Sequence, residues 1–122
     1  MTPASDAIHY RWRDIPQDHP LELLGRRRIV GRNAMVCEIA LGEGCRVPTH
    51  AHENEQFVLV TSGKVSLGVG AEGSPERREM ILTGGEVLYI PSNVPHSAAA
   101  LEESIVIDIF SPPSEQTGID RG

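Results

Sequence analysis

No apolar run in this chain approaches the roughly 20 residues that a bilayer-spanning helix needs, so a transmembrane helix is excluded. Basic residues are also scarce: 11 Lys and Arg stand against 17 Asp and Glu, for a net charge of −6. A nucleic-acid binder needs a basic stripe to meet phosphates, and none is present. The one dense basic run, Arg26-Arg27-Arg28, is short and reads as a solvated strand end. Cysteine is limited to Cys37 and Cys45, outside any CxxC pattern. Both read as reduced thiols, with Cys45 a marginal candidate for a metal ligand. Met1 to Asp6 lacks a basic region followed by an apolar stretch, so no secretory leader is predicted and the expected compartment is the cytoplasm. Internal repeats, low-complexity segments and a convincing helical stripe are all missing. At 122 residues there is no room for a second domain of ordinary size.

What the chain has instead is punctuation. Gly25, Gly31, Gly42, Gly44, Gly63, the stretch from Gly70 to Pro75, Gly84-Gly85, the stretch from Pro91 to Pro95, and Pro112-Pro113 interrupt it at short intervals. Such spacing is the mark of many short strands. Apolar residues alternate between the turns. Met35, Cys37, Ile39 and Leu41 share a face, as do Val65, Leu67 and Val69, and Ile105, Ile107 and Ile109 alternate with Val106, Asp108 and Phe110. Period two means strands. The segment from Pro16 to Leu24 has the look of a turn of helix, and Ala71 to Arg78 reads as an exposed loop or wide hairpin. The expected fold is therefore a single all-β domain of about nine strands, closed as a barrel or jelly roll because sheet edges must be managed. A strand around Ile8 to Trp12 would offer an edge to a second subunit, so a homodimer is expected.

The residues that carry chemistry sit in two blocks. One runs Gly44-Cys45-Arg46-Val47-Pro48-Thr49-His50-Ala51-His52-Glu53-Asn54-Glu55-Gln56 and closes at Gly63. The other runs from Gly85 to Pro95-His96. Alternate residues of a strand face the same way, so His50 and His52, about 7 Å apart along one strand, can chelate one ion. Gln56 heads the following strand and shares a face with Val58 and Val60, while Pro95 delivers His96 from a distant part of the chain. His50, His52, Gln56 and His96 are the expected ligands. Glu55 falls on the opposite face from Gln56, and Glu53 sits in the turn. His9 and His19 read as surface residues.

At these residues the chain resembles a cupin. Gly44, His50, His52, Gln56 and Gly63 match that family's first motif in spacing. Gly85, Pro91, Asn93 and His96 match its second, with Asn93 replacing the usual Gly; both residues tolerate a left-handed backbone. The resemblance implies a double-stranded β-helix with the metal in the mouth of the barrel, a core of about residues 25 to 111 in a domain of 1 to 122, and one divalent ion per chain. Zn, Ni, Fe and Mn all suit such ligands.

The Gln ligand, the phrase Ile90-Pro91-Ser92-Asn93-Val94-Pro95-His96 and the ending Ile107-Asp108-Ile109-Phe110-Ser111-Pro112-Pro113 resemble, more narrowly, the pectin-degradation cupins of the KdgF type. Those convert unsaturated uronates into linear keto sugars, with a run Asp-x-Phe-x3-Arg beside the metal. Asp108 and Phe110 match that run, and Ser114 stands where the Arg belongs. Asp108 is the expected catalytic base, and Phe110 and Tyr89 are expected substrate contacts. The expected function is isomerisation or tautomerisation of a small oxygen-rich anion such as a sugar acid or keto acid, with the metal as Lewis acid. An Fe(II)-dependent dioxygenase and a non-catalytic metabolite-binding or sensing protein are the alternatives.

Overall fold

The computed structural model describes residues 6–114. Ten strands follow a short 3-10 turn at Trp12–Asp14. They are β1 (Asp18–Leu21), β2 (Leu24–Val30), β3 (Met35–Leu41), β4 (Arg46–His50), β5 (Glu55–Ser62), β6 (Lys64–Val69), β7 (Arg78–Thr83), β8 (Glu86–Ile90), β9 (His96–Ala100) and β10 (Ser104–Ser111). They form two antiparallel sheets, one ordered β1-β2-β3-β10-β5-β8 and the other β4-β9-β6-β7. Inward residues from both sheets make one apolar core. The alternation read from the sequence is the alternation of burial: Met35, Cys37, Ile39 and Leu41 of β3 point in. In β10 the inward set is Val106, Asp108 and Phe110, so the three isoleucines lie on the outer face. The wide hairpin expected at Ala71 to Arg78 joins β6 to β7.

Turns fix the register wherever the backbone must turn left-handed. Gly63, between β5 and β6, has φ of +92°, and a Cβ there would collide with the Ser104 hydroxyl. Asn93 reaches φ of +65°, a region that Asn tolerates and β-branched residues avoid. That conformation opens the turn before His96. Among the described residues no helix is long and apolar enough to cross a membrane.

Three local expectations fail. Ile8 to Arg11 form no strand, and Ile8 and Tyr10 are exposed, so the edge proposed for a second subunit is not there. The segment from Pro16 to Leu24 holds β1 and a tight turn in place of helix, because pairing with β2 satisfies its backbone where an isolated helical turn would not. The arginine run is not solvated. Arg26 is only 2% exposed and forms a two-pronged pair with Asp18, Nε to Oδ1 at 3.0 Å and Nη2 to Oδ2 at 2.6 Å. Arg27 donates to the Ile15 carbonyl at 2.9 Å and to Glu38 at 3.0 Å, and Arg28 lies 3.6 Å from Asp18. Strand β1 thus brings a carboxylate to a buried guanidinium and packs Leu21 against the core.

The hydrogen bonds from Arg26 hold the Asp18 carboxyl below the usual aspartate range. A depressed carboxyl contributes stability at neutral pH that is lost as pH falls through its folded value. Asp18→Asn should therefore lower stability at pH 7 by about 1 kcal/mol, since it weakens a charge-assisted pair whose carboxylate is half exposed and screened by solvent. Urea denaturation checks this, and the gap between wild type and variant should narrow in acid, as the wild-type carboxyl becomes protonated.

Candidate metal centre

Strand β4 does not run in simple alternation. Val47 pairs with Ala98 and His50 pairs with His96, so Pro48 and Thr49 oppose the single residue Ser97. This two-against-one count is a β-bulge, a device that re-aims side chains and concentrates near functional sites. Proline, which cannot donate to the ladder, suits it. Without the bulge Thr49 would face His96; with it, the His50 ring does, and the two ring centroids are 4.4 Å apart.

β4 ends at His50, so His52 belongs to the connection into β5 and not to the same strand. Strand alternation therefore does not account for their shared direction, although both rings join one group. His52 lies 5.6 Å from His50 and 4.9 Å from His96, centroid to centroid. One nitrogen from each of the three rings falls within 4.8 Å of the others, a grouping able to hold a metal ion. The loop that places His52 is anchored by Asn54, whose buried side chain donates to the Pro112 carbonyl at 2.5 Å. Sequence reasoning overlooked Asn54; its position in a polar turn between motif residues was the available signal.

The imidazoles are oriented by one repeated device. His50 Nδ1 lies 2.8 Å from the Pro48 carbonyl, His52 Nδ1 3.0 Å from the Asn54 carbonyl, and His96 Nδ1 2.8 Å from the Val94 carbonyl. A carbonyl can only accept, so each Nδ1 carries a proton, and in the neutral ring Nε2 is left as the acceptor. Metal-binding histidines are held in this way by their outer partners. Burial, helped by repulsion from His50 and His52, pushes the His96 imidazole down to about 4, so it is neutral at ordinary pH.

Gln56 is buried on the inner face of β5 with Val58 and Val60. Its amide hydrogen-bonds Asp108, which leaves Oε1 toward the imidazoles, 3.2 Å from His52 Nε2. Two lone pairs then face one another, an arrangement that a cation stabilises.

Asp108 lies at the centre of β10, between Cys37 of β3 and Val58 of β5, and not on a solvent edge. Burial pushes its carboxyl up to about 7, against the lowering effect of the Gln56 hydrogen bond. Among the described residues, only two buried side-chain nitrogen or oxygen atoms lack a hydrogen-bond partner: His96 Nε2 and Asp108 Oδ1. Both residues line one cavity, whose other walls include Leu24, Ile39, Val47 and Val106. Its room for the centres of water-sized molecules totals about 50 Å³. Polar groups needing partners thus converge at a narrow, apolar space.

The remaining expected site residues divide. Phe110 is 1% exposed and meets the His52 ring edge-on at 5.6 Å, so it walls the cluster as part of the core. Tyr89 is a misplacement: it is half exposed on the outer face of β8, against Phe57 at 5.1 Å, while its neighbour Ile90 points in opposite Gln56. Cys45 is buried and its thiol contacts the Glu22 carbonyl at 3.7 Å, outside the imidazole group. Burial, then the Asp108 charge, pushes the Cys37 thiol up to about 12, leaving it unreactive. Glu53 and Glu55 are exposed.

A profile described as "Cupin domain" matches residues 36–110. An uncharacterized protein of Streptomyces coelicolor is 31% identical over 83 residues, covering 67% of this chain and 73% of the relative. Among solved structures, an RmlC-like cupin from Shewanella frigidimarina superposes with a TM-score of 0.79 at 24% identity, over 90% of this chain and 96% of that one. KdgF from Halomonas sp. gives 0.75 at 24% identity, over 85% and 94%. Oxalate decarboxylase of Bacillus subtilis gives 0.77 at 19% identity over 88% of this chain; the chain spans only 30% of that protein. At these identities the structural likenesses speak to the fold.

The hydrogen-bond pattern makes a direct spectroscopic prediction. In long-range 15N–1H spectra of metal-free protein at pH 7.5, His50, His52 and His96 should each show a protonated Nδ1 and a bare Nε2. A proton on Nε2 of His96 would contradict the orientation described.

Proposed function

Because the chain belongs to the cupin domain family, we propose that it is a metal-dependent enzyme that shifts a proton within a small oxygen-rich anion. The expected substrate is a sugar acid or keto acid, and the reaction is an isomerisation or tautomerisation. One observation carries this reading: a buried carboxylate and a buried imidazole, each with an unmatched acceptor atom, share a single apolar cavity.

His50, His52 and His96, with Gln56 as the fourth, are the residues proposed to hold a divalent ion. The cluster fits one: a nitrogen from each of the three rings lies within 4.8 Å of the others, and His96 Nε2 is buried with no hydrogen-bond partner. All four ligands are neutral, so the ion keeps its full charge; when bound it supplies Lewis acidity toward a carbonyl or hydroxyl oxygen of the substrate. The protein does the rest. Asp108, raised to about 7 by burial, is suited to take a proton and return it at neutral pH. Its bond to Gln56 couples base and ligand, fixing the amide with Oε1 inward. The apolar walls exclude water and strengthen every charge interaction inside. The narrow space favours a substrate whose reacting end alone enters. Ser114 takes the place of the arginine found in the KdgF-type run, so a uronate carboxylate must be met by other groups, and shorter keto or hydroxy acids suit the site at least as well.

Metal binding is checked first. Purified protein should retain close to one divalent ion by elemental analysis. Removing it with a chelator should lower the melting temperature, by roughly 3 kcal/mol of stability at a metal concentration one hundred times Kd. His96→Ala should carry no metal, and its melting temperature should not respond to the chelator.

Catalysis is checked by proton exchange. Incubated in D2O without oxygen, the metal-loaded protein should introduce deuterium into small keto or hydroxy acids, or consume the ultraviolet absorbance of unsaturated uronates. Asp108→Asn should lower that rate on the order of 100-fold or more while retaining the ion. Turnover that requires Fe(II) and consumes oxygen would move the assignment to a dioxygenase. Ligand-induced stabilisation with no turnover would make the protein a binding module.

A further inference from the structure

The bulge that aims His50 is held from outside the barrel. Three bonds from the β6–β7 connection, residues 70–77, reach residues that flank two of the imidazoles. The Gly70 N–H donates to the Pro95 carbonyl at 2.8 Å, immediately before His96. Arg77 Nη2 donates to Ser97 Oγ at 2.8 Å, immediately after it. The Thr49 hydroxyl donates to Glu72 at 2.5 Å, immediately before His50. Thr49 and Ser97 are the very residues that meet at the bulge. Arg77 closes the chain: its Nη1 donates to the Gly70 carbonyl at 2.7 Å and its guanidinium lies 3.7 Å from Glu72 and 3.4 Å from Glu79.

The sheet surface is shaped to receive this arginine. Gly68 of β6 lies beneath the guanidinium, and a Cβ there would collide with Arg77 Nη2 and crowd Ser97 Oγ. Gly70, with φ of +113°, adopts a backbone that a side chain resists and so returns the loop over the sheet. Arg77 is mostly buried although it belongs to a polar surface loop. Neither an exposed hairpin nor ordinary sheet stability requires this convergence on the neighbours of two histidines.

We propose that the 70–77 loop is a clamp across the β4–β9 bulge, with Arg77 and Glu72 as positioning residues that hold His50 and His96 at metal-binding separation. The proposal rests on the metal reading above for its purpose, but not for its mechanics. The strong links are those of Arg77 to Ser97 and to the loop backbone. The Arg77–Glu72 link is long and Glu72 is exposed, so it contributes less.

Zn2+ affinity by titration calorimetry and amide hydrogen exchange of metal-free protein test it together. Arg77→Met keeps the aliphatic cover and should weaken Zn2+ binding about tenfold, the lower end for loss of a partner that orients ligands. Arg77→Lys should recover part of that loss, Glu72→Gln should cost about threefold, and the exposed neighbour substitution Arg78→Ala should cost nothing. In metal-free Arg77→Met, exchange should rise at Thr49, His50, His96 and Ser97 and stay unchanged in β3 and β10. Unchanged affinity with unchanged exchange at those four amides overturns the clamp. So does a uniform rise across both sheets, which marks general destabilisation. If wild-type protein takes up none of Zn2+, Ni2+, Fe2+ and Mn2+, the metal reading falls, and the exchange pattern alone decides whether the loop clamps the bulge.

Discussion

The structure turns on one electrostatic conflict: several acceptor atoms point at one another inside an apolar barrel. Each unmatched acceptor removed from water costs on the order of 1–3 kcal/mol. Backbone carbonyls take the Nδ1 proton of all three histidines, so a neutral ring has no donor left to point inward. His96 Nε2 and Asp108 Oδ1 are left without partners, and His52 Nε2 faces Gln56 Oε1. Under the function proposed above, a cation would resolve the conflict at the imidazoles and a mobile proton would resolve it at the carboxyl. Binding and proton chemistry would then be two answers to the same unpaired electron density.

The fold supports that conflict by dividing labour between its sheets. The four-stranded sheet supplies His50 and His96 from paired strands, directly opposite each other. The six-stranded sheet supplies Gln56, Asp108 and Phe110 from β5 and β10, which lie side by side in register. Only His52 comes from a connection, and that connection is anchored by Asn54 to the end of β10. Every functional side chain therefore sits on, or is tied to, a hydrogen-bonded ladder. On β2, Arg26 is matched by Asp18 with two bonds, the treatment a buried charge requires.

Much of this was legible in the sequence because it depends on period and spacing. Two-residue alternation revealed the strands, and turn residues marked their ends. The HxH pair, Gln56 and the Pro-His phrase pointed to residues that the fold does bring near one another. What was not legible depends on phase. In β8, Val87 and Tyr89 alternate with Leu88 and Ile90, so both faces are apolar and nothing in the pattern says which points in; Tyr89 was assigned to the wrong one. In β4 a bulge changes the phase between Val47 and His50, and the only hint was a proline inside a strand beside a histidine of opposite parity. A run of three arginines looks solvated until its partners are known, and those partners, Asp18, Ile15 and Glu38, lie 8 to 12 residues away in sequence.

The bulge also explains why the metal cluster and its surroundings answer to different rules. A regular β4–β9 pair would place Thr49 across from His96, and no choice of residue in the ladder could set His50 there without moving the whole strand by one and turning Val47 out of the core. Inserting one unpaired residue moves the histidine alone. The cost is a local break in the ladder, and a break is a hinge unless something holds it. Thr49 and Ser97, the residues at the break, are bonded from the outside by a loop whose arginine lies over a glycine. Inside the barrel, three imidazoles, an amide and a buried carboxyl gather at an apolar cavity. Outside it, a polar network bonds the residues beside two of the imidazoles, so under the proposed clamp the affinity for an ion would be set partly by residues that never approach it.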